Sequence, residues 1–82
     1  MFSIVSIAQI NYSVLKKDRV DIKIFNAIGQ PVKHLFNDEK NPGEHHVTWN
    51  GENDNGIKVK NGIYFVRFTS ENMATLFKVI VE

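Results

Sequence analysis

The residues best suited to chemistry lie in one acidic loop at positions 50–56, which reads NGENDNG. Oxygen ligands occur there at alternate positions, a spacing typical of calcium loops. A calcium loop of about twelve residues needs Gly at its sixth position and a bidentate Glu at its twelfth. Counting from Asn50, those positions hold Asn55 and Asn61. Because Asn, Asp and Gly are also the residues that stabilise turns, the pattern favours a connection between strands over a calcium site.

The histidines and serines lack the spacing of a metal or catalytic site. His45 and His46 are adjacent, so on a strand their side chains point to opposite faces. A His34–His46 pair across neighbouring strands would supply only part of the three or four ligands that zinc needs, and the chain contains no Cys. No Gly-x-Ser-x-Gly turn holds a nucleophile, and no glycine-rich loop leads into a helix to bind phosphate. We therefore expect no enzyme, no cofactor and no bound metal.

Length and charge limit the size of the core and the class of partner. A chain of 82 residues forms one domain. Without cysteine, its core depends on the 43% of residues that are hydrophobic. The net charge of +1 gives no electrostatic reason to bind nucleic acid. We expect neither a nucleic acid partner nor a small-molecule substrate.

Apolar and polar residues alternate at period two through most of the chain, as at Val20, Ile22 and Ile24. The pattern predicts strands at 10–14, 19–24, 31–36, 44–49, 63–69 and 74–81, a brief extended stretch at 57–60, and loops at 37–43 and 50–56. Turn signals at this density predict an all-β fold, an antiparallel β-sandwich of about seven short strands. The core candidates are Ile22, Ile24, Val47, Trp49, Ile63, Tyr64 and Val79.

Two phenylalanines do not fit strands that are buried on one face only. Phe25 is out of register with Val20, Ile22 and Ile24, and Phe65 is flanked by apolar neighbours on both sides. Either both faces of these strands are covered, or one face carries an exposed apolar patch for a partner. Trp49 is expected in the core rather than on a sugar-binding platform, because a small sandwich needs its large buried area.

Several sequence blocks occur in a familiar order. The chain carries Trp49-Asn50-Gly51, then Gly62-Ile63-Tyr64-Phe65, then Lys78-Val79-Ile80-Val81. In these blocks it resembles the C-terminal sorting domain of proteins exported by the type IX (Por-type) secretion system of Bacteroidetes-like bacteria. It is similar, nearly as closely, to the Ig-like domain of flagellar hook-capping proteins. The resemblance implies an Ig-like domain over residues 9–82, with residues 1–8 as a lead-in or the edge of an excised segment.

The resemblance also implies a function without chemistry. A sorting domain is recognised by the outer-membrane export machinery, and a surface sortase then removes it. The implied partners are therefore outer-membrane secretion and sortase proteins, and the implied location is exported, from the periplasm to the outer membrane or cell surface. Two further functions stay open: a structural or assembly module of the hook-capping type, and a carbohydrate-binding β-sandwich that uses exposed aromatic residues.

A domain of this kind can bind by strand addition or through an apolar patch, because an edge strand offers unpaired N–H and C=O groups. The last strand, at 75–81, is the first candidate for such an edge, which would support pairing with a partner strand or a dimer. A covered central strand would show the same two-sided apolar pattern. The candidate partner-binding residues are Phe25, Phe65, Lys78, Val79, Ile80 and Val81.

Overall fold

The chain folds as a β-sandwich. The computed structural model describes the backbone of residues 2–4 and 8–82, and the side chains from residue 9 onward. The strands are β1 (Phe2–Ile4), β2 (Ala8–Val14), β3 (Asp18–Asn26), β4 (Pro31–Lys40), β5 (Gly43–Trp49), β6 (Gly62–Thr69) and β7 (Ala74–Val81). No helix that could cross a membrane occurs in the part of the chain that is described.

Two sheets form the sandwich. The larger has five strands in the order β1-β7-β6-β3-β4, and the smaller pairs β2 with β5. Among the described strands, all pairs are antiparallel except that of β1, which runs parallel to β7. The predicted fold class, a small Ig-like β-sandwich, is confirmed.

The core lies between the two sheets, and it is formed by apolar side chains that occur at every second position of the strands. Val20, Ile22 and Ile24 occupy alternate positions of β3 and are fully buried. Each buried aliphatic side chain of this size stabilises the fold by about 1.5–3 kcal/mol. Trp49 closes the core from the smaller sheet. Tyr64 and Val79 are also buried as predicted, and Val47 packs partly buried against them.

One core prediction is wrong. Ile63 is 42% exposed. It lies opposite Ile80 across β6 and β7, and the neighbouring Tyr64 points into the core instead. Successive side chains of a strand point to opposite faces, so burying Tyr64 places Ile63 outside.

One predicted loop is a strand. β4 continues to Lys40 and pairs with β3 through Asp18 opposite Lys40 and Asp21 opposite Asn37. Two register shifts lie between Ile22 and Phe25, and such bulges let an edge strand twist against its neighbour. The polar composition of this segment suits an edge, where charged side chains oppose aggregation, so pairing overrides its low strand propensity.

The β3–β4 hairpin is closed by a side-chain cap. The Oδ1 atom of Asn26 accepts hydrogen bonds from the backbone N–H groups of Ile28 (3.1 Å) and Gln30 (2.9 Å). Gly29 takes a φ of 85°, a backbone conformation that glycine adopts without steric cost. This turn ends β3 directly after Phe25 and Asn26.

Candidate functional site

The acidic loop uses its polar groups to hold its own shape. The Oδ1 atom of Asn53 accepts hydrogen bonds from the backbone N–H groups of Asn55 (2.9 Å) and Ile57 (3.0 Å). The indole Nε1 of Trp49 donates to the backbone oxygen of Glu52 at 2.9 Å. Within the described residues, no group of three or more His, Asp or Glu side chains is placed to hold a metal ion. The loop is thus built as a turn anchored to the core through Trp49.

Asp54 of this loop also covers an edge of the larger sheet. Its Oδ1 atom accepts the backbone N–H of His34 at 3.0 Å, and its own N–H donates to the backbone oxygen of Val32 at 3.1 Å. These two bonds imitate a paired strand beside β4. The first half of β4 therefore offers fewer open backbone groups to a partner strand than an uncovered edge would.

The three histidines lie in separate environments. His34 contacts Asp21 through its Nε2 atom at 2.5 Å from the carboxylate Oδ1, and Asn37 donates to the same oxygen at 2.9 Å. Burial of Asp21 alone would raise the pKa of its carboxyl, but these hydrogen bonds and the nearby charges of His34 and Lys23 lower it below its usual value. His46 lies in the smaller sheet opposite Asn11, so the His34–His46 pair does not form.

The outward face of the larger sheet carries apolar side chains interleaved with cations. Cross-strand partners lie on the same face, and the register sets three rows across β3, β6 and β7. We call this the outer β3–β6–β7 surface. Its rows are Lys23, Arg67 and Leu76; then Phe25, Phe65 and Lys78; then Ile63 and Ile80.

The side chains of this surface are partly ordered by contacts with one another. The Arg67 guanidinium lies 4.8 Å from the centre of the Phe25 ring, and a cation over an aromatic ring is attracted by the ring's electrons. Phe25 and Phe65 are half-buried, whereas Leu76 is 62% exposed. The surface therefore combines half-buried aromatic rings with cations and with the exposed aliphatic side chains of Leu76 and Ile63.

The structure divides the predicted partner-binding residues between two faces. Phe25, Phe65, Lys78 and Ile80 share the outer surface. Val79 is only 2% exposed, and Val81 is buried with it in the core. The side chains of these two valines face the smaller sheet and are not accessible to a partner, because alternation along β7 fixes them inward.

The predicted open edge at β7 is also partly covered. β1 pairs with β7 in parallel, with Phe2 opposite Lys78 and Ile4 opposite Ile80. The first half of β7, from Ala74 to Phe77, lies beyond the positions that β1 pairs. Sequence patterning could not show this, because a three-residue strand gives too short a pattern to assign.

Arg67 and Leu76 belong to the surface but were not singled out from the sequence. Each is spaced by two from a residue that was, Arg67 from Phe65 and Leu76 from Lys78. Alternation placed them on some face of their strands, but only the register between β6 and β7 brings them side by side.

Comparison with known proteins agrees with this fold. No curated protein and no solved structure matches the chain. The family model described as the FlgD Ig-like domain matches residues 11–73, which is well over half of the chain and covers strands β3 to β6. The chain therefore belongs to the FlgD Ig-like domain family.

Proposed function

We propose that this chain is a structural or assembly module that binds other proteins and catalyses no reaction. The observation that carries the proposal is the match of residues 11–73 to the FlgD Ig-like domain family. This match supports a module of the hook-capping kind more than it supports a sorting domain or a carbohydrate-binding sandwich. An exported location follows as part of the same proposal.

The distribution of polar groups supports a binding role. In the acidic loop, Asn53 stabilises the turn and Asp54 covers the edge of β4. The outer β3–β6–β7 surface instead leaves apolar side chains exposed beside cations. Exposed apolar patches rimmed by polar residues mark protein interaction sites in soluble domains.

A domain exchange tests this proposal. The chain would replace the Ig-like domain of a hook-capping protein in a flagellated bacterium, with a strain lacking that domain as the control. We expect the exchanged strain to bear hooks on a larger fraction of its cells than the control, counted by electron microscopy. Equal fractions, with the exchanged protein folded and exported at the normal level, would refute the assembly role.

A second candidate is a C-terminal sorting domain for type IX export. It is favoured by the position of two blocks that carry the resemblance. The Gly62–Phe65 block lies on β6 and the Lys78–Val81 block on β7, and the register places Phe65 directly opposite Lys78 on the outer surface. One residue of each block, Phe65 and Lys78, thus lies on the outer surface, whereas Tyr64 and Val79 of the same blocks are buried in the core.

A reporter fusion separates the two candidates. Residues 9–82 would be fused to the C-terminus of a secreted reporter in a bacterium with an active type IX system. A sorting domain should deliver the reporter to the cell surface or medium. Retention of a folded reporter in the periplasm would remove the sorting function and leave the assembly role unaffected.

A carbohydrate-binding function gains less support. A sugar ring stacks on an open aromatic face, but the Arg67 guanidinium lies 4.8 Å from the centre of the Phe25 ring, and Phe65 is half-buried. A sugar would have to displace Arg67 before it could stack on Phe25.

A further inference from the structure

We propose that the outer β3–β6–β7 surface binds an acidic protein surface that also presents apolar side chains. The inference rests on the proposed role as a protein-binding module and specifies the chemistry of its partner. The partner would set carboxylates against the cations of the surface and apolar groups against its phenylalanines and aliphatic residues.

The charge of the surface selects an acidic partner. Its eight residues include Lys23, Arg67 and Lys78 and no carboxylate. The neighbouring row across the sheet contains Asp21, whose carboxylate contacts His34 and lies 4.0 Å from the Nζ atom of Lys23. Asp21 therefore offsets part of the charge of Lys23, and the positive charge of the surface comes mainly from Arg67 and Lys78. Because opposite charges on two surfaces steer association and suppress wrong partners, the cations of this patch favour a partner that is acidic where they meet it.

The same charges disfavour a second copy of this chain. Two outer surfaces packed face to face would bring Arg67 and Lys78 of one copy near the same cations of the other. Like charges brought together in an interface repel each other and suppress association. The partner is therefore expected to be a different protein surface.

The apolar residues distinguish a protein partner from a bare polyanion or a membrane. A polyanion would contact the cations but leave Leu76 and Ile63 exposed to water. Binding to a bilayer is favoured by a broad apolar face that includes aromatic side chains, whereas here the exposed apolar groups are aliphatic and the rings of Phe25 and Phe65 are half-buried within the sheet face. A protein surface with both acidic and apolar groups can cover both kinds of side chain together.

Binding of synthetic peptides to the whole chain tests the inference. The probe is an extended peptide in which Leu and Phe alternate with Glu, and the matched peptide has Lys at every Glu position. Nuclear magnetic resonance of the isotope-labelled chain would report where each peptide binds. We expect shifts confined to β3, β6 and β7 with the Glu peptide, weaker binding at higher salt, and no binding of the Lys peptide.

Matched charge reversals locate the site. Arg67→Glu changes a cation of the surface, and Arg19→Glu makes the same charge change on β3 at a side chain that bonds to Asn37 outside it. Arg67→Glu should lower the affinity for the Glu peptide by about tenfold or more, and Arg19→Glu should lower it by about twofold or less. Circular dichroism of both variants should show an unchanged β-sheet spectrum.

The inference would be overturned by equal binding of both peptides, by shifts on β2 and β5, by equal effects of the two reversals, or by no binding of either peptide. Tighter binding to heparin or to phosphatidylglycerol vesicles than to the Glu peptide would assign the surface to a polyanion or a membrane instead. These outcomes are separate from those of the domain exchange. If the exchanged strain forms hooks but the chain does not bind the Glu peptide, only the partner chemistry is refuted. If the chain binds the Glu peptide but the exchanged strain forms no more hooks than the control, only the assembly role is refuted.

Discussion

The Tyr64→Phe substitution tests whether a hydrogen bond anchors the end of the connection between β5 and β6 to the core. The Tyr64 hydroxyl donates to the backbone oxygen of Lys60 at 2.6 Å, and its ring packs edge-on against Trp49 with ring centres 5.5 Å apart. Phe keeps the ring and its packing, so the variant loses only this hydrogen bond. Because Tyr64 is only 7% exposed, its bond is well shielded, yet the exposed Lys60 leaves room for water to replace the lost donor.

The expected loss follows from that geometry. A net intramolecular hydrogen bond stabilises a fold by about 0.5–1.5 kcal/mol, and solvent access at Lys60 favours a value near about 1 kcal/mol. A change of that size lowers the melting temperature of a domain with about 60–100 residues by roughly 4–8 °C. Urea denaturation should show a lower midpoint with an unchanged slope, because the surface exposed on unfolding stays the same.

Tyr12→Phe is the control. Tyr12 packs its half-buried ring against Phe68, with centres 5.1 Å apart, and its hydroxyl forms no hydrogen bond with the described residues. We expect less than about half the loss seen at Tyr64, in keeping with the absence of a bond to break. Equal losses in both variants, or wild-type stability in Tyr64→Phe, would show that the hydrogen bond does not anchor the connection.

The remaining predictions concern calcium binding by the acidic loop, the covering of the β4 edge, the pH dependence of stability and the role of Trp49 in the core. Added calcium should leave the melting temperature unchanged; a rise that chelator reverses would show a site in the acidic loop. Asp54→Ala should speed amide exchange at His34 and promote self-association on sedimentation, unlike Asn55→Ala, because only Asp54 covers the β4 edge. The pKa of Asp21 is lowered in the fold, so its stabilising contribution is present above a pH of about 4 and is lost as the pH falls through the folded pKa. From pH 6 to pH 3, the free energy of unfolding should therefore fall less in Asp21→Asn than in the wild type. An identical decline in both proteins would refute the linkage. Trp49→Ala should cost about 3–5 kcal/mol, a large part of the roughly 4–12 kcal/mol typical for this length, and a loss below about 1 kcal/mol on urea denaturation would contradict its place in the core.

The side chains that face the core could be predicted because their positions follow from strand periodicity alone. Val20, Ile22 and Ile24 repeat every second residue, and the structure buries all three. The size of Trp49 and its position at the end of a strand predict that it lies in the core, and the structure buries it there. Such assignments need no knowledge of which strand lies beside which.

The outward-facing residues and the sheet edges could not be predicted, because they depend on strand pairing that a single sequence does not show. Ile63 and Tyr64 are both apolar, so alternation alone could not tell which of them faces the core. The polar end of β4 looked like a loop because its strand character comes from pairing with β3 rather than from its own residues. The role of Asp54 depends on its bond to His34, a residue twenty positions away in the sequence.

The placement of apolar residues on both faces of β3, β6 and β7 argues that the outer surface is used. A small domain has little apolar material to spare, because it buries a smaller fraction of its surface than a large one. Phe25, Phe65 and Ile80 contribute to a face that the smaller sheet does not cover, and Leu76 and Ile63 add exposed area that favours aggregation. Polar residues at those positions would keep the core intact and improve solubility. Leu76→Ser should accordingly leave the fold stable to within about 0.5 kcal/mol, as for most surface substitutions, while reducing binding of the Glu peptide. A stability loss above about 2 kcal/mol would instead show that Leu76 serves the fold rather than a partner.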